Sequence, residues 1–207
     1  MSTSITKLIT PLGPLQMFIG GKWTGSESGR TAFAYSQASR EQIATVPEGT
    51  HKDAQAAIRA AQCAEETLGW MTPLERSRMC HKVADVIDSR KAEFARFLTL
   101  DQDQHSHSEA QWEAGPISHF FHQAAEDVVR LNGETLPSAD PNKRAITLYQ
   151  SRGTYGVIIP WNFPYIIPSE YPGSALAAGN PGVRVPTPST KARMMAVTDR
   201  LPSPRVA

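Results

Sequence analysis

Cysteine is scarce in this sequence: Cys63 and Cys80 are the only two among 207 residues. Both fall in helix-like surroundings, so a disulfide scaffold is excluded and a reducing compartment, the cytoplasm, is the default expectation. Charge of one sign is also missing. A formal net charge of +1 gives no footing for nucleic acid or an acidic membrane surface. No apolar run approaches the length of a membrane span. The first ten residues carry one lysine and no sustained apolar stretch, which argues against a signal peptide. What remains, 40% hydrophobic and 20% charged, suits a soluble globular domain or a domain and a half.

Along the chain, Pro11, Gly13 and Pro14 mark a loose leader over residues 1–15. Gly20-Gly21 between Met17–Ile19 and Lys22–Thr24 is a two-residue hairpin signal. Thr31–Tyr35 and Gln42–Val46 read as a second strand pair. Thr50 with Asp53 opens an alanine-rich helix running to Trp70. Thr72, Pro73 and Glu75 form a Thr-x-x-Glu start with proline at the first helical position. That helix is expected to run unbroken to about Leu100–Asp103, with Met79, Val83, Val86, Ile87, Phe94, Phe97 and Leu98 as its buried stripe. Ser108–Leu131 is a further helical segment that Gly115-Pro116 should kink or split, with a stop near Asn132-Gly133. Ala145–Tyr149 is strand-like. More than half of the 16 prolines fall at Pro160 or later, and Pro181–Ala207 has no sustained periodicity, the pattern of a poorly ordered tail.

Histidines cluster at His105-x-His107 and His119-x-x-His122. Imidazoles so spaced can hold a metal, but no cysteine or acidic partner stands convincingly with them. Solvated surface histidines are the favoured reading, and no metal site is expected. Lys191, Arg193, Arg200 and Arg205 lack an aromatic platform and read as a solvated tail.

The most informative stretch is Tyr155–Asn180. A short apolar strand, Val157-Ile158-Ile159, meets Pro160, which cannot donate to a ladder. Trp161 and Asn162 follow at the strand's carboxyl end, where open α/β sheets bind ligands. By local pattern alone this is an ordinary strand, proline turn and buried helix.

The pentapeptide Pro160-Trp161-Asn162-Phe163-Pro164, followed by Ala175-Leu176-Ala177-Ala178-Gly179-Asn180, resembles the aldehyde dehydrogenase superfamily. Phe18–Trp23, Ala44–Gly49, Thr72–Ser77, Leu98–Gln102 and Gly133–Pro137 match the same family, so the resemblance spans roughly Met17–Asn180. It implies an α/β fold: the N-terminal part of the aldehyde dehydrogenase fold, with β-hairpins, long helices and the incomplete start of a doubly wound dinucleotide-binding sheet. Residues 16–133 would be the hairpin and helical part, 134–154 the oligomerisation-type strands, 155–185 the start of the sheet and 186–207 a divergent tail. Such enzymes oxidise aldehydes to acids with NAD or NADP, through a cysteine thiolate and a glutamate-activated water. The resemblance makes Asn162 the oxyanion donor and lays Ile158, Ile159, Pro160 and Trp161 along the cofactor. Residues 134–150 would mediate homo- or hetero-oligomers.

The departures are specific. The family's nucleophile, its general-base glutamate and its glycine-containing cofactor turn belong beyond Asn180, and nothing after Asn180 in this sequence matches them. Neither Cys63 nor Cys80 fits the nucleophile motif, and both read as packing residues. The family's ribose-binding lysine position carries Val185, with Arg184 on the opposite strand face. Pro172-Gly173-Ser174 is a poor approach to a helix. The expectation is an aldehyde dehydrogenase-like chain that is inactive alone and weak in cofactor binding. The alternatives are an interaction protein that modulates full-length relatives and a non-functional truncated product.

Overall fold

The computed structural model describes residues 14–36, 40–102, 107–160 and 162–186. The leader before Pro14, Trp161, His105 and the tail from Thr187 lie outside the described residues. Strands β1 (Met17–Ile19) and β2 (Lys22–Thr24) form the expected antiparallel hairpin, turned by Gly20 and Gly21 at φ 58° and 76°. Both residues need a left-handed backbone, which glycine adopts without a Cβ clash. Strands β3 (Thr31–Tyr35) and β4 (Gln42–Pro47) pair antiparallel, with an irregular register at Ala34/Tyr35. Leu15, assigned to the loose leader, instead donates its N–H to the Thr45 carbonyl at 2.8 Å and is buried beside Ala44 and Val46.

Helix α1 (His51–Trp70) and helix α2 (Pro73–Ser89) both begin with closed capping boxes, Thr50 with Asp53 and Thr72 with Glu75. In each, two of the orphan amides of the first turn find partners on side chains no more than three positions away.

The long helix expected from Thr72 is two helices. Arg90 leaves helical geometry at φ −120°, ψ 10°, and α3 (Lys91–Gln102) starts afresh. The Arg90 N–H bonds Ile87 O at 3.0 Å, closing α2, while its guanidinium reaches Glu93 at 2.9 Å in the first turn of α3. The break lets one apolar stripe serve two layers. Ile87, Phe94 and Leu98 enter the main core, whereas Phe97 packs on Leu15, Ala44 and Val46.

Gly115 divides the next segment as expected, into α4 (His107–Ala114) and α5 (Pro116–Val128). The main core joins Ala84 and Ile87 of α2, Phe94, Ala95 and Leu98 of α3, Ala110 and Ala114 of α4, and Ile117 and Phe121 of α5. Tyr165 completes it from a later element.

Of the strand expected over Ala145–Tyr149, only β6 (Ala145–Ile146) pairs, with β5 (Thr135–Leu136). Leu148 and Tyr149 run past the ladder and are exposed. The chain then enters β7 (Tyr155–Ile159), α6 (Ile166–Ala177) and β8 (Gly182–Pro186), with β7 and β8 parallel and in register from Tyr155↔Gly182 to Ile159↔Pro186. This is a βαβ unit, the building block of a doubly wound sheet.

Candidate functional site at the carboxyl end of β7

Strand alternation sorts the β7 side chains. Ile159 is fully buried and Ile158 is 79% exposed, so the two stand on opposite faces. Ile158 is therefore the one of the pair open to solvent, and Ile159 faces the core. Pro160 ends the strand and is exposed, and so is Asn162. Phe163 follows at φ 49°, a left-handed conformation that a non-glycine residue holds only when its surroundings enforce it. Pro164 and Tyr165 then turn inward and are buried. The sequence therefore leaves Asn162 exposed at a strand end while the next turn is anchored in the core.

That anchoring comes from residues far away in the chain. Glu113, 1% exposed in the last turn of α4, accepts the Tyr165 N–H at 3.2 Å. The Tyr165 ring meets Phe94 edge-on at 5.4 Å. Burial, with the Glu113 and Glu93 carboxylates near it, pushes the Tyr165 phenol far above its usual range, so it stays neutral.

Helix α6 runs straight through Pro172, against the expectation of a poor helix approach. Proline there cannot donate to the carbonyl four residues back, Pro168. Arg184 of β8 supplies the missing donor, with Nη1 at 3.5 Å from Pro168 O. Gly173 lets α6 press onto α5: a Cβ there would stand 3.2 Å from the Phe120 carbonyl. The helix ends on Gly179 at φ 84°, with Asn180 N bonded to Ala175 O at 2.8 Å, the geometry of a Schellman stop. The Asn180 side chain then accepts the N–H groups of Arg152 (2.5 Å) and Gly153 (3.0 Å), fastening the approach to β7. The Ala-Leu-Ala-Ala-Gly-Asn motif thus has a plain mechanical role here.

Three further supports were invisible in the sequence pattern. Glu65 of α1 accepts from Thr154 N at 2.8 Å and from its hydroxyl at 2.6 Å. Arg76 of α2 donates through Nε to Ala177 O at 2.6 Å and through Nη1 to Met71 O. Glu113 is the third. Each spans 52 to 101 positions except the short Arg76–Met71 link, and no local spacing announces such a pair.

The two thiols lie elsewhere. Cys80 is buried with Ala124, Ala125, Val128 and Ala177, and burial pushes its thiol up to about 11. It is a neutral packing group at physiological pH. Cys63 sits exposed on α1.

The histidines regroup. His122 of α5 faces His81 of α2, Nδ1 to Nδ1 at 2.9 Å, and its Nε2 lies 3.5 Å from Asp88. Ser118 and Lys91 also hold Asp88, at 2.5 and 2.6 Å. Burial opposes ionisation of Asp88, but these donors together keep its carboxyl below the usual range. No group of three or more His, Cys, Asp or Glu side chains placed to hold a metal ion occurs among the described residues.

The arrangement is that of an α/β protein with an exposed turn at the carboxyl end of β7, and comparison with known proteins makes the family specific. The pattern of the "Aldehyde dehydrogenase family" matches residues 23–202. The chain belongs to the aldehyde dehydrogenase family. It is 31% identical over 184 residues to the glutarate-semialdehyde dehydrogenase of Pseudomonas putida, a match covering 89% of this chain and 38% of that relative. An NAD-dependent aldehyde dehydrogenase from Sinorhizobium meliloti superposes with a TM-score of 0.87 at 28% identity, over 98% of this chain and 41% of that one. An E. coli NADP-dependent enzyme superposes with a TM-score of 0.86 at 28% identity, over 95% and 40%. The chain thus spans about two fifths of the length of the relatives it matches. The fold is the expected partial one of the family.

Proposed function

We propose that Tyr155–Asn180 forms the oxyanion-donor and cofactor-wall part of a site that oxidises aldehydes to carboxylic acids, and that these 207 residues do not turn over aldehyde by themselves. Asn162 would donate its side-chain N–H to the oxyanion of a tetrahedral adduct. Such a donor acts where charge develops. Ile158, Pro160 and Trp161 would line the dinucleotide, and Ile159, fully buried, would back that wall from the core. Bound NAD or NADP would supply the hydride acceptor. The residues present suit that wall only in part, because Arg184 is engaged with Pro168 O and Val185 has no donor for a ribose.

The observation that carries this reading is the separation of parts. Asn162 is exposed at the end of β7, while Cys80, one of the two thiols, is buried and held neutral in the α2–α5–α6 seam. Two measurements test it. Purified chain incubated with an aldehyde panel and NAD or NADP should give no reduced nicotinamide. Turnover abolished by Cys63→Ser or Cys80→Ser would overturn the inactivity. Separately, residues 155–180 grafted into the Pseudomonas putida relative should support turnover, and Asn162→Ala within the graft should lower kcat by ~100-fold or more. An unchanged kcat would refute the donor role.

A second reading, association with full-length relatives through residues 134–150, is favoured by one observation. Leu136, Ile146, Leu148 and Tyr149 expose apolar side chains along this short ladder and its continuation. Size-exclusion chromatography with a full-length relative tests it, and absence of a mixed oligomer counts against it. No described helix is long and apolar enough to cross a membrane. Two free thiols accord with a cytoplasmic setting.

A further inference from the structure

We propose that Glu113 is a positioning residue for the Asn162 corner, an inference that rests on reading Asn162 as an oxyanion donor. A carboxylate that is 1% exposed is costly unless its oxygens are well bonded. Its own helix opposes it, since Glu113 lies in the last turn of α4, at the negative end of the dipole. One contact that offsets this lies at the start of α6. Tyr165 is the N-cap residue of α6 and carries no side-chain cap of its own. Glu113 Oε1 takes the Tyr165 N–H, so a side chain from a helix 52 positions earlier does the work that Asp53 and Glu75 do from within α1 and α2.

The geometry joins this contact to Asn162 through three residues. Phe163 is left-handed at φ 49°, Pro164 is fixed in φ by its ring and buried, and Tyr165 is held on both sides. Its carbonyl accepts the Ser169 hydroxyl at 2.7 Å, and its ring lies edge-on to Phe94. A left-handed phenylalanine is strained and persists only where its neighbours leave it no alternative. Glu113 fixes the main chain at Tyr165, Ile167 N bonds back to Phe163 O at 3.2 Å, and the corner between them sets where Asn162 points. Glu113 touches no reacting atom in this account. It acts through the backbone.

Amide hydrogen exchange and side-chain amide NMR on the full 207-residue chain test this. In Glu113→Leu, the Tyr165 amide should exchange faster by about tenfold or more, the effect of losing a charged acceptor. Over the same interval the Ala84 amide in α2 should hold, and the Asn162 side-chain resonances should move. Glu113→Gln, which keeps an acceptor oxygen, should restore Tyr165 protection and the Asn162 resonances. If Glu113→Leu does not fold, Glu113→Asp shortens the reach by one methylene and is read in the same way. Tyr165 exchange that does not rise, Asn162 resonances that stay in place, or an equal loss of protection at Ala84 and Tyr165 overturns the proposal. The result is independent of the graft assay. Exchange at Tyr165 reports the corner whether or not aldehyde is oxidised, while the graft reports the donor.

Discussion

Helix α2 and helix α6 pack against the same partner, α5, yet they are specified in opposite ways. Helix α2 carries its own instructions: Thr72 at the cap, Pro73 at the first position and Glu75 closing the box, all within four residues. Helix α6 carries almost none. Its cap residue has no side-chain bond, and Pro172 interrupts its own ladder. Its open groups are met from outside, by Glu113 at the start and by Arg184 at Pro168 O, and Gly173 admits α5 at close range. The helix behind Asn162 is therefore made by the fold, while the helices that support it are made by the local sequence.

The contrast can be broken from either side. The largest effect is expected at the α5–α6 contact. Gly173→Val adds branched bulk where a Cβ alone would stand 3.2 Å from the Phe120 carbonyl. A loss of about 1–3 kcal/mol in denaturant unfolding is expected, the range for overpacking. A neutral result would mean that α5 and α6 are not pressed together. Next comes Thr72→Ala, which removes the α2 cap and should cost about 1 kcal/mol. Its signature is local: amide exchange should rise at residues 74–76 and leave α6 untouched. Equal fraying of α6 would erase the distinction between the two helices.

The smallest effect is acid-dependent. The Thr50 backbone N–H lowers Asp53 below the usual carboxylate range, against the opposing effect of burial, with Glu27 and Ser26 adding to the lowering. The Thr72 backbone N–H does the same for Glu75, helped by the Thr72 hydroxyl. Folded values below unfolded ones mean that both caps contribute fully above about pH 5 and lose that contribution as the pH falls through the depressed values. Exchange at the first turns of α1 and α2 should rise as the pH is lowered from about 5 into the acid range. First turns that stay equally protected at the acid end would show that the boxes do not hold these helices.

The same contrast explains what was readable beforehand. The Gly20-Gly21 hairpin, both capping boxes, the split at Gly115 and the end of β7 before Pro160 are short-range features, and each appears where its residues placed it. The break at Arg90 was missed because a continuous apolar stripe hides a change of layer, visible only once Phe97 is seen against β4 and Leu98 against α4 and α5. The strand expected to Tyr149 pairs only over Ala145–Ile146, with Thr147 N bonded to Glu134 O beyond it and Leu148 and Tyr149 exposed. At the candidate site, motif resemblance singled out Asn162 and the residues before it. Glu113, Arg76 and Glu65 were unreadable because their partners lie in distant segments and belong to no periodic pattern.

Pro172 and Arg184 together carry a consequence for order in time. Local helices nucleate as soon as their own residues meet, on the sub-microsecond to microsecond scale. Helix α6 cannot be completed that way, because the donor for Pro168 O sits on β8, beyond the end of the helix, and the acceptor for its first amide waits on α4. Its formation is tied to the docking of those two elements. The segment behind Asn162 is accordingly expected to gain protection only as α4 and β8 dock, later than helices such as α2 that close their own first turn.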